Sequence, residues 1–161
     1  MNKIWVIAGP TATGKTKTAV QVALDTNTDI ISMDSMQIYR QMTIGTAKPT
    51  PEEMRGVRHD LVGTVDLRDN GYTVARYRQD AEACMQRIFS EGKTPLFVGG
   101  TGLYLNSILY PMQYASASES PETRLKWQVF LEKEGKGALF AELEKADPLS
   151  ARRLHPNDTR R

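Results

Sequence analysis

The 161-residue sequence contains a single cysteine, Cys84, so no internal disulfide can form and a reducing compartment is expected. Long apolar runs are also missing. The N-terminal run IWVIA (4–8) is only five residues long before Gly9-Pro10 closes it. That is too short for the core of a signal peptide and far too short to span a membrane. A cytoplasmic chain without membrane attachment is the expectation. Neither sign of charge dominates: Lys plus Arg is 21, Asp plus Glu is 19, and the net charge is +2. This balance carries no bulk nucleic-acid signature. No internal repeat appears, and low complexity is confined to a small Ser/Ala-rich patch at 115–120.

The small positive excess is unevenly placed. The last eleven residues, ARRLHPNDTRR, carry four Arg against one Asp. Such a tail suits a phosphate-bearing partner such as RNA, although a solvated helix end is the commoner explanation for short charge clusters. Apolar residues at 40% and charged residues at 25% are ordinary for a soluble globular chain. The length suits one domain with a real core and is short for two.

Strand and helix signals alternate along the chain. Ile4–Ala8 reads as a buried strand and Lys15 to about Leu24 as the helix after it. Ile30–Met33 reads as a second strand that ends at Asp34 and Ser35, and Leu61–Val65 as a third. Thr50-Pro51-Glu52-Glu53 has a cap, a proline at the first helical position and a glutamate at the third, which starts a short helix. Tyr77, Ala81, Met85 and Ile88 recur at helical spacing across 73–91, Gly92 stops that helix, and Cys84 falls on its apolar side as a packing residue. Pro95–Val98 is a further strand leading into Gly99-Gly100-Thr101-Gly102. Alternation of this kind predicts an α/β fold with a parallel sheet flanked by helices, and the loop at 9–16 makes that expectation P-loop NTPase-like.

Beyond Pro111 the strand pattern disappears. A helix opens at Ser120-Pro121, Gly135 and Gly137 break it, and further helices are expected over 138–146 and 148–154. The expected organisation is an α/β core over 1–114, followed over 115–161 by a helical insertion segment leading into an incomplete C-terminal part.

Residues 9–16, GPTATGKT, match the phosphate-loop pattern G-x-x-x-x-G-K-[ST], with a strand before and a helix after. In such a loop, made here by Gly9, Pro10, Thr11, Ala12, Thr13 and Gly14, the backbone N–H groups of the residues other than proline turn toward an anion, and the helix N-terminus adds its dipole. Lys15 would meet the outer phosphate oxygens, and Thr16 would offer its hydroxyl to Mg²⁺, which keeps most of its waters and takes few protein ligands. The loop alone leaves the chemistry open, because a small-molecule kinase would use it with ATP for phosphoryl transfer. A GTPase reading fails because Asn-Lys-x-Asp is absent. A motor ATPase reading is weakened because the strand PLFVGG ends in glycines, not in Asp.

Three stretches narrow the choice. DSMQIYRQMTIGTAKP (34–49) and GGTGLY (99–104), taken with GPTATGKT, resemble the pattern of the tRNA dimethylallyltransferases, and HPNDTRR (155–161) looks like a later motif of that family. The resemblance runs from residue 4 to 161 with its landmarks in order. It implies that the loop holds the diphosphate of dimethylallyl diphosphate. It also implies that the five-carbon group passes to N6 of the adenine 3′ of the anticodon. By that resemblance Asp34 is the base, with Lys15, Thr16 and Thr101 in the catalytic set. The resemblance further implies that Asp34, Ser35, Met36, Gln37, Thr101, Asp158, Thr159, Arg160 and Arg161 would contact the tRNA anticodon stem-loop. Mg²⁺ is the cofactor expected from Thr16 and the diphosphate, and a monomer is the expected state.

Plainer roles stand beside these. Asp34 suits a strand-end cap, Thr101 a helix cap, and the glycines of GGTG a tight strand-to-helix turn. Leu103 and Tyr104 suit core or pocket wall, Arg40 and Lys48 suit solvated charge, and the spacing of His59 and His155 fits no zinc motif. The chain departs from the family where a His-His pair is usual, having His59-Asp60, and where an Asp usually follows, having Gly63. It also ends at Arg161, where family members continue. A chain complete at that point is expected to be less stable and weak or inactive on tRNA.

Overall fold

The computed structural model describes residues 3–69, 71–111 and 120–159. The chain divides into two compact units, Met1–Gln113 and Tyr114–Arg161.

The first unit is built on a parallel sheet of β1 (Trp5–Ala8), β2 (Ile30–Met33), β3 (His59–Asp60) and β4 (Leu96–Gly99), in the spatial order β1-β4-β2-β3. Each of the three crossovers between parallel strands needs an intervening element, and α1 (Lys15–Asp25), α2 (Pro51–Met54) and α3 (Val74–Ser90) supply it, while α4 (Gly102–Leu109) follows β4. The two-residue period of a strand then sorts the core. Ile30 and Leu96 face α1, where Ala19, Val20 and Ala23 are buried. Ile31, Met33 and Phe97 face the other way, toward Tyr77, Ala81 and Ile88 of α3 and Tyr104 of α4. The sheet therefore carries helices on both faces, as the alternation predicted, and with the loop at 9–16 after β1 it is the expected P-loop NTPase-like arrangement.

Two expectations change. Among the described residues β1 is an edge strand, not a buried one: Trp5 is 40% and Val6 37% exposed, and β1 pairs there with β4 alone. The third strand is not Leu61–Val65 but the shorter His59–Asp60, since Leu61 and Gly63 both adopt positive φ (62° and 64°) and turn the chain. Val65 is left with a single parallel bridge to Tyr39.

Local signals otherwise match. Thr50 and Glu53 form the reciprocal capping box of α2. Thr73 caps α3, and Gly92 leaves it with φ 73°. Cys84 packs partly buried against the α3 core, and burial pushes its thiol up to about 11.

In the second unit, α5 (Pro121–Ala146) is one run kinked at Gly135, where φ is 83° and ψ 174°. Gly135 thus breaks the helix as expected, whereas Gly137 lies inside it. The helix expected over 148–154 is the shorter α6 (Pro148–Ala151), capped by Asp147. The Ser/Ala patch at 115–120 falls mostly outside the described residues.

Candidate active site

Register brings the site together. Gly99 of β4 lies between Ala8 of β1 and Met33 of β2, so the C-terminal ends of three strands stand side by side. Whatever follows each strand is therefore juxtaposed: the phosphate loop after β1, Asp34 after β2 and the GGTG turn after β4. Ligand sites of open α/β sheets form at such strand ends. The approach is close enough to dictate glycine. A Cβ on Gly99 would sit 2.2 Å from the Met33 carbonyl oxygen, and one on Gly100 would sit 3.2 Å from the Gly9 carbonyl oxygen. Backbone hydrogen bonds stitch the three ends together: Gly9 N–H donates to Gly99 O (3.3 Å) and Thr101 N–H to Met33 O (3.0 Å).

The loop opens into α1 through Ala12 at φ 65° and Gly14 at φ 80°. Thr13 braces it by donating to Pro10 O at 2.9 Å, and the Lys15 ammonium folds back onto the same carbonyl. No side chain caps α1, and no acidic residue occupies its first turn. Its first N–H groups and the positive end of its dipole are thus left for an outside anion. Lys15 and Thr16 are both half-buried.

Asp34 uses one carboxylate oxygen. Its Oδ1 accepts from the N–H of Met36 (2.8 Å) and of Gln37 (3.1 Å), while Oδ2 takes no hydrogen bond from the described residues. The cap role therefore occupies one oxygen of this side chain and leaves the other available. Thr101 does not cap α4 through its side chain. Its Oγ1 accepts from Ser35 N–H at 3.1 Å, tying the β4 turn to the segment after β2. Gln37 closes the loop beyond by donating from Nε2 to the carbonyls of Thr46 and Ala47, both at 3.0 Å. Lys48 donates to Tyr39 O (2.5 Å) and to Arg40 O (3.3 Å), so it supports the loop and is no free surface charge. Burial lowers its pKa.

A cleft of about 480 Å³ lies between these pieces, within the size range of small-molecule sites. Gly9, Pro10 and Thr11 form one wall, Met33, Asp34 and Met36 a second, and Gly100 to Gly102 with Leu105 the third. Sequence reasoning missed Met33 and Leu105. The signal for Leu105 was its place one helical turn after Thr101. Tyr104 is core: its ring stacks on Tyr77 at 3.7 Å and 8°, and Tyr77 Oη donates to Ser32 O at 3.0 Å. Leu103 is exposed on the outer side of α4.

Other candidates lie elsewhere. His59 sits on β3 opposite Ile30, the first residue of β2, at the far end of the sheet. Its Nδ1 meets Val57 O at 2.9 Å, and burial pushes its pKa down. Asp60, where the family pattern has its second His, is held by Arg58 and Arg87. Asp158 and Thr159 belong to the second unit, where their N–H groups close a turn on His155 O and Asn157 O. His155 accepts from Asn157 N–H at 3.2 Å. Arg160 and Arg161 lie outside the described residues. Among the described residues no cluster of His, Cys, Asp or Glu has metal-binding geometry, and no helix is long and apolar enough to cross a membrane.

Comparison with known proteins agrees with this geometry. The IPP transferase family model matches residues 37–161. A tRNA dimethylallyltransferase of Caldanaerobacter subterraneus is 46% identical over 99% of the chain and 50% of its own length. One from Bacillus subtilis is 44% identical over 97% and 49%. The full-length tRNA isopentenylpyrophosphate transferase of Bacillus halodurans superposes with TM-score 0.69 at 40% identity, covering 98% of this chain and 52% of that one. A eukaryotic dimethylallyltransferase acting on tRNA superposes with TM-score 0.83 at 34% identity, covering 98% and 39%. The chain thus spans about half the length of the curated relatives it matches. With a family model over most of its residues and relatives above 40% identity over nearly all of them, the chain belongs to the IPP transferase family.

Proposed function

We propose that the chain acts in prenylation of tRNA: the dimethylallyl group of dimethylallyl diphosphate passes to N6 of the adenine 3′ of the anticodon, and diphosphate leaves. The observation that carries this reading is the in-register ending of β1, β4 and β2, which sets a phosphate loop beside a carboxylate with one unengaged oxygen.

In this reading the loop amides and Lys15 hold the diphosphate. As the allylic C–O bond breaks, its electron pair moves onto a diphosphate oxygen, and the same donors stabilise the growing charge. The N6 lone pair forms the new C–N bond and the amine loses a proton. Asp34 Oδ2 is the acceptor for that proton, while Oδ1 stays anchored on two amides so that the carboxylate does not swing away. The Thr16 hydroxyl and the diphosphate oxygens suit Mg²⁺, which asks for few protein ligands and would supply further charge neutralisation when bound.

The adenine must leave the anticodon-loop stack to enter the cleft. Ser35, Met36, Gln37 and Thr101 are the proposed contacts for it. Gln37 has spent its amide N–H on the loop carbonyls, which leaves its Oε1 as an acceptor for the base. Asp158, Thr159, Arg160 and Arg161 are proposed to meet the RNA from the second unit, the start of a helical insertion. A monomeric, cytoplasmic protein completes the reading.

Transfer of label from dimethylallyl diphosphate, with Mg²⁺ and without ATP, tests it when an anticodon stem-loop and AMP are offered side by side. Label on the stem-loop alone is the expected result. Label on AMP alone would move the acceptor to free nucleotides, and phosphoryl transfer from ATP in the same preparation would replace the reading with a kinase.

A further inference from the structure

The glycines of the GGTG turn do not share one reason for being glycine. Gly99 and Gly100 are fixed by neighbouring backbone, as the 2.2 Å and 3.2 Å approaches of an added Cβ demonstrate. Gly102 differs. It is the first residue of α4, its φ lies outside the left-handed region, and a Cβ built on it meets nothing within 4 Å. Neither conformation nor packing asks for glycine there, and glycine costs helix stability relative to alanine. The residue does, however, line the cleft.

We infer that Gly102 is a specificity-determining residue, kept bare so that the apolar end of the donor can lie over it. The inference rests on the prenyl-transfer reading above. Two features choose the donor's chain over the acceptor base. Leu105 stands three residues on, on the same face of α4, and lines the same cleft. Gly9 and Pro10 of the phosphate loop also line it, so a chain of five carbons attached to a diphosphate in the loop has only a short distance to cover. Gly102 thereby sets the room available, and Leu105 closes the wall behind it. Side chains added at 102 subtract from the space, and truncation at 105 adds to it.

The test is calorimetric titration of this chain with inorganic diphosphate, dimethylallyl diphosphate and geranyl diphosphate, each with Mg²⁺. Wild type should prefer dimethylallyl diphosphate over inorganic diphosphate by roughly tenfold or more, from apolar burial of the chain. Gly102→Val should erase that preference while leaving affinity for inorganic diphosphate unchanged, with Gly102→Ala in between. Leu105→Ala should raise affinity for geranyl diphosphate relative to dimethylallyl diphosphate. Equal loss for both ligands in Gly102→Val would assign the residue to the diphosphate or to the helix, and would overturn the inference. An unaltered preference in Gly102→Ala and Gly102→Val would overturn it as well. Failure of wild type to bind any of the three would remove the prenyl-transfer reading itself, an outcome distinct from the other two.

Discussion

The two ends of the sheet use the same kinds of side chain in opposite ways. At the N-terminal end, Asp29 and Asp60 are nearly buried and share Arg87, which donates to Asp29 at 2.7 Å and to Asp60 at 2.5 Å. Glu91, Lys93 and Arg58 fill out the network. Burial opposes the Arg87 charge, but its bonds to Asp29 and Glu91 and the field of Asp60 outweigh that and raise its pKa. At the C-terminal end, Asp34 has a free oxygen, Lys15 rests on its own loop's carbonyl, and the first turn of α1 has no cap. Saturated charge holds the fold, and charge with capacity to spare waits for a ligand.

Breaking the saturated end should have the largest effect. Arg87→Ala would leave two nearly buried carboxylates without their shared cation, and denaturant unfolding should report a loss of about 3 kcal/mol or more. A loss below ~1 kcal/mol would mean that the network is decorative. Cys84 gives a kinetic reading of the same region. Burial first, and the field of Asp60 next, raise its thiol to about 11, so alkylation of the folded chain near pH 8 should run roughly 100-fold slower than for a free thiol. Full reactivity should return in denaturant.

His59 supplies a smaller, pH-dependent term. Burial lowers its folded pKa, so above about 6.5 both states are neutral and nothing is gained or lost. As the pH falls below that value the unfolded chain takes the proton first, and stability drops until the folded pKa is reached. His59→Asn should flatten the stability profile over that window and leave it unaltered near pH 8. The smallest effect is expected at the other end of the sheet. Asp34→Asn keeps an oxygen that can accept from Met36 and Gln37, so stability should stay within about 0.5 kcal/mol of wild type, while the prenyl transfer proposed above should fail. Loss of stability with retained transfer would invert the comparison.

How much of this the sequence disclosed depended on the range of the physics involved. The phosphate loop, the capping box at Thr50 and the helix of Tyr77, Ala81 and Ile88 are local patterns, and they were legible. The edge position of β1 was not, because IWVIA reads the same whether one or both sides are paired; strand order is a long-range fact. Leu61–Val65 has strand-like composition, yet positive φ at Leu61 and Gly63 ends the strand early. In the site, Asp34 and the GGTG turn were found by motif. That Thr101 Oγ1 accepts from Ser35 N–H, and that Gly99 is fixed by the Met33 carbonyl, depends on residues 66 positions apart in chain order. His59-Asp60 acquires its meaning only with Arg87, which the chain delivers from α3.

The most direct measurement is calorimetric titration of inorganic diphosphate with Mg²⁺ into wild type, Lys15→Ala and Asp34→Asn. The account predicts that wild type binds, that Asp34→Asn binds nearly as well, and that Lys15→Ala loses tenfold or more, about 1.4 kcal/mol. Equal binding by wild type and Lys15→Ala, or no binding by wild type, would contradict the claim that the C-terminal end of this sheet is built to hold a diphosphate.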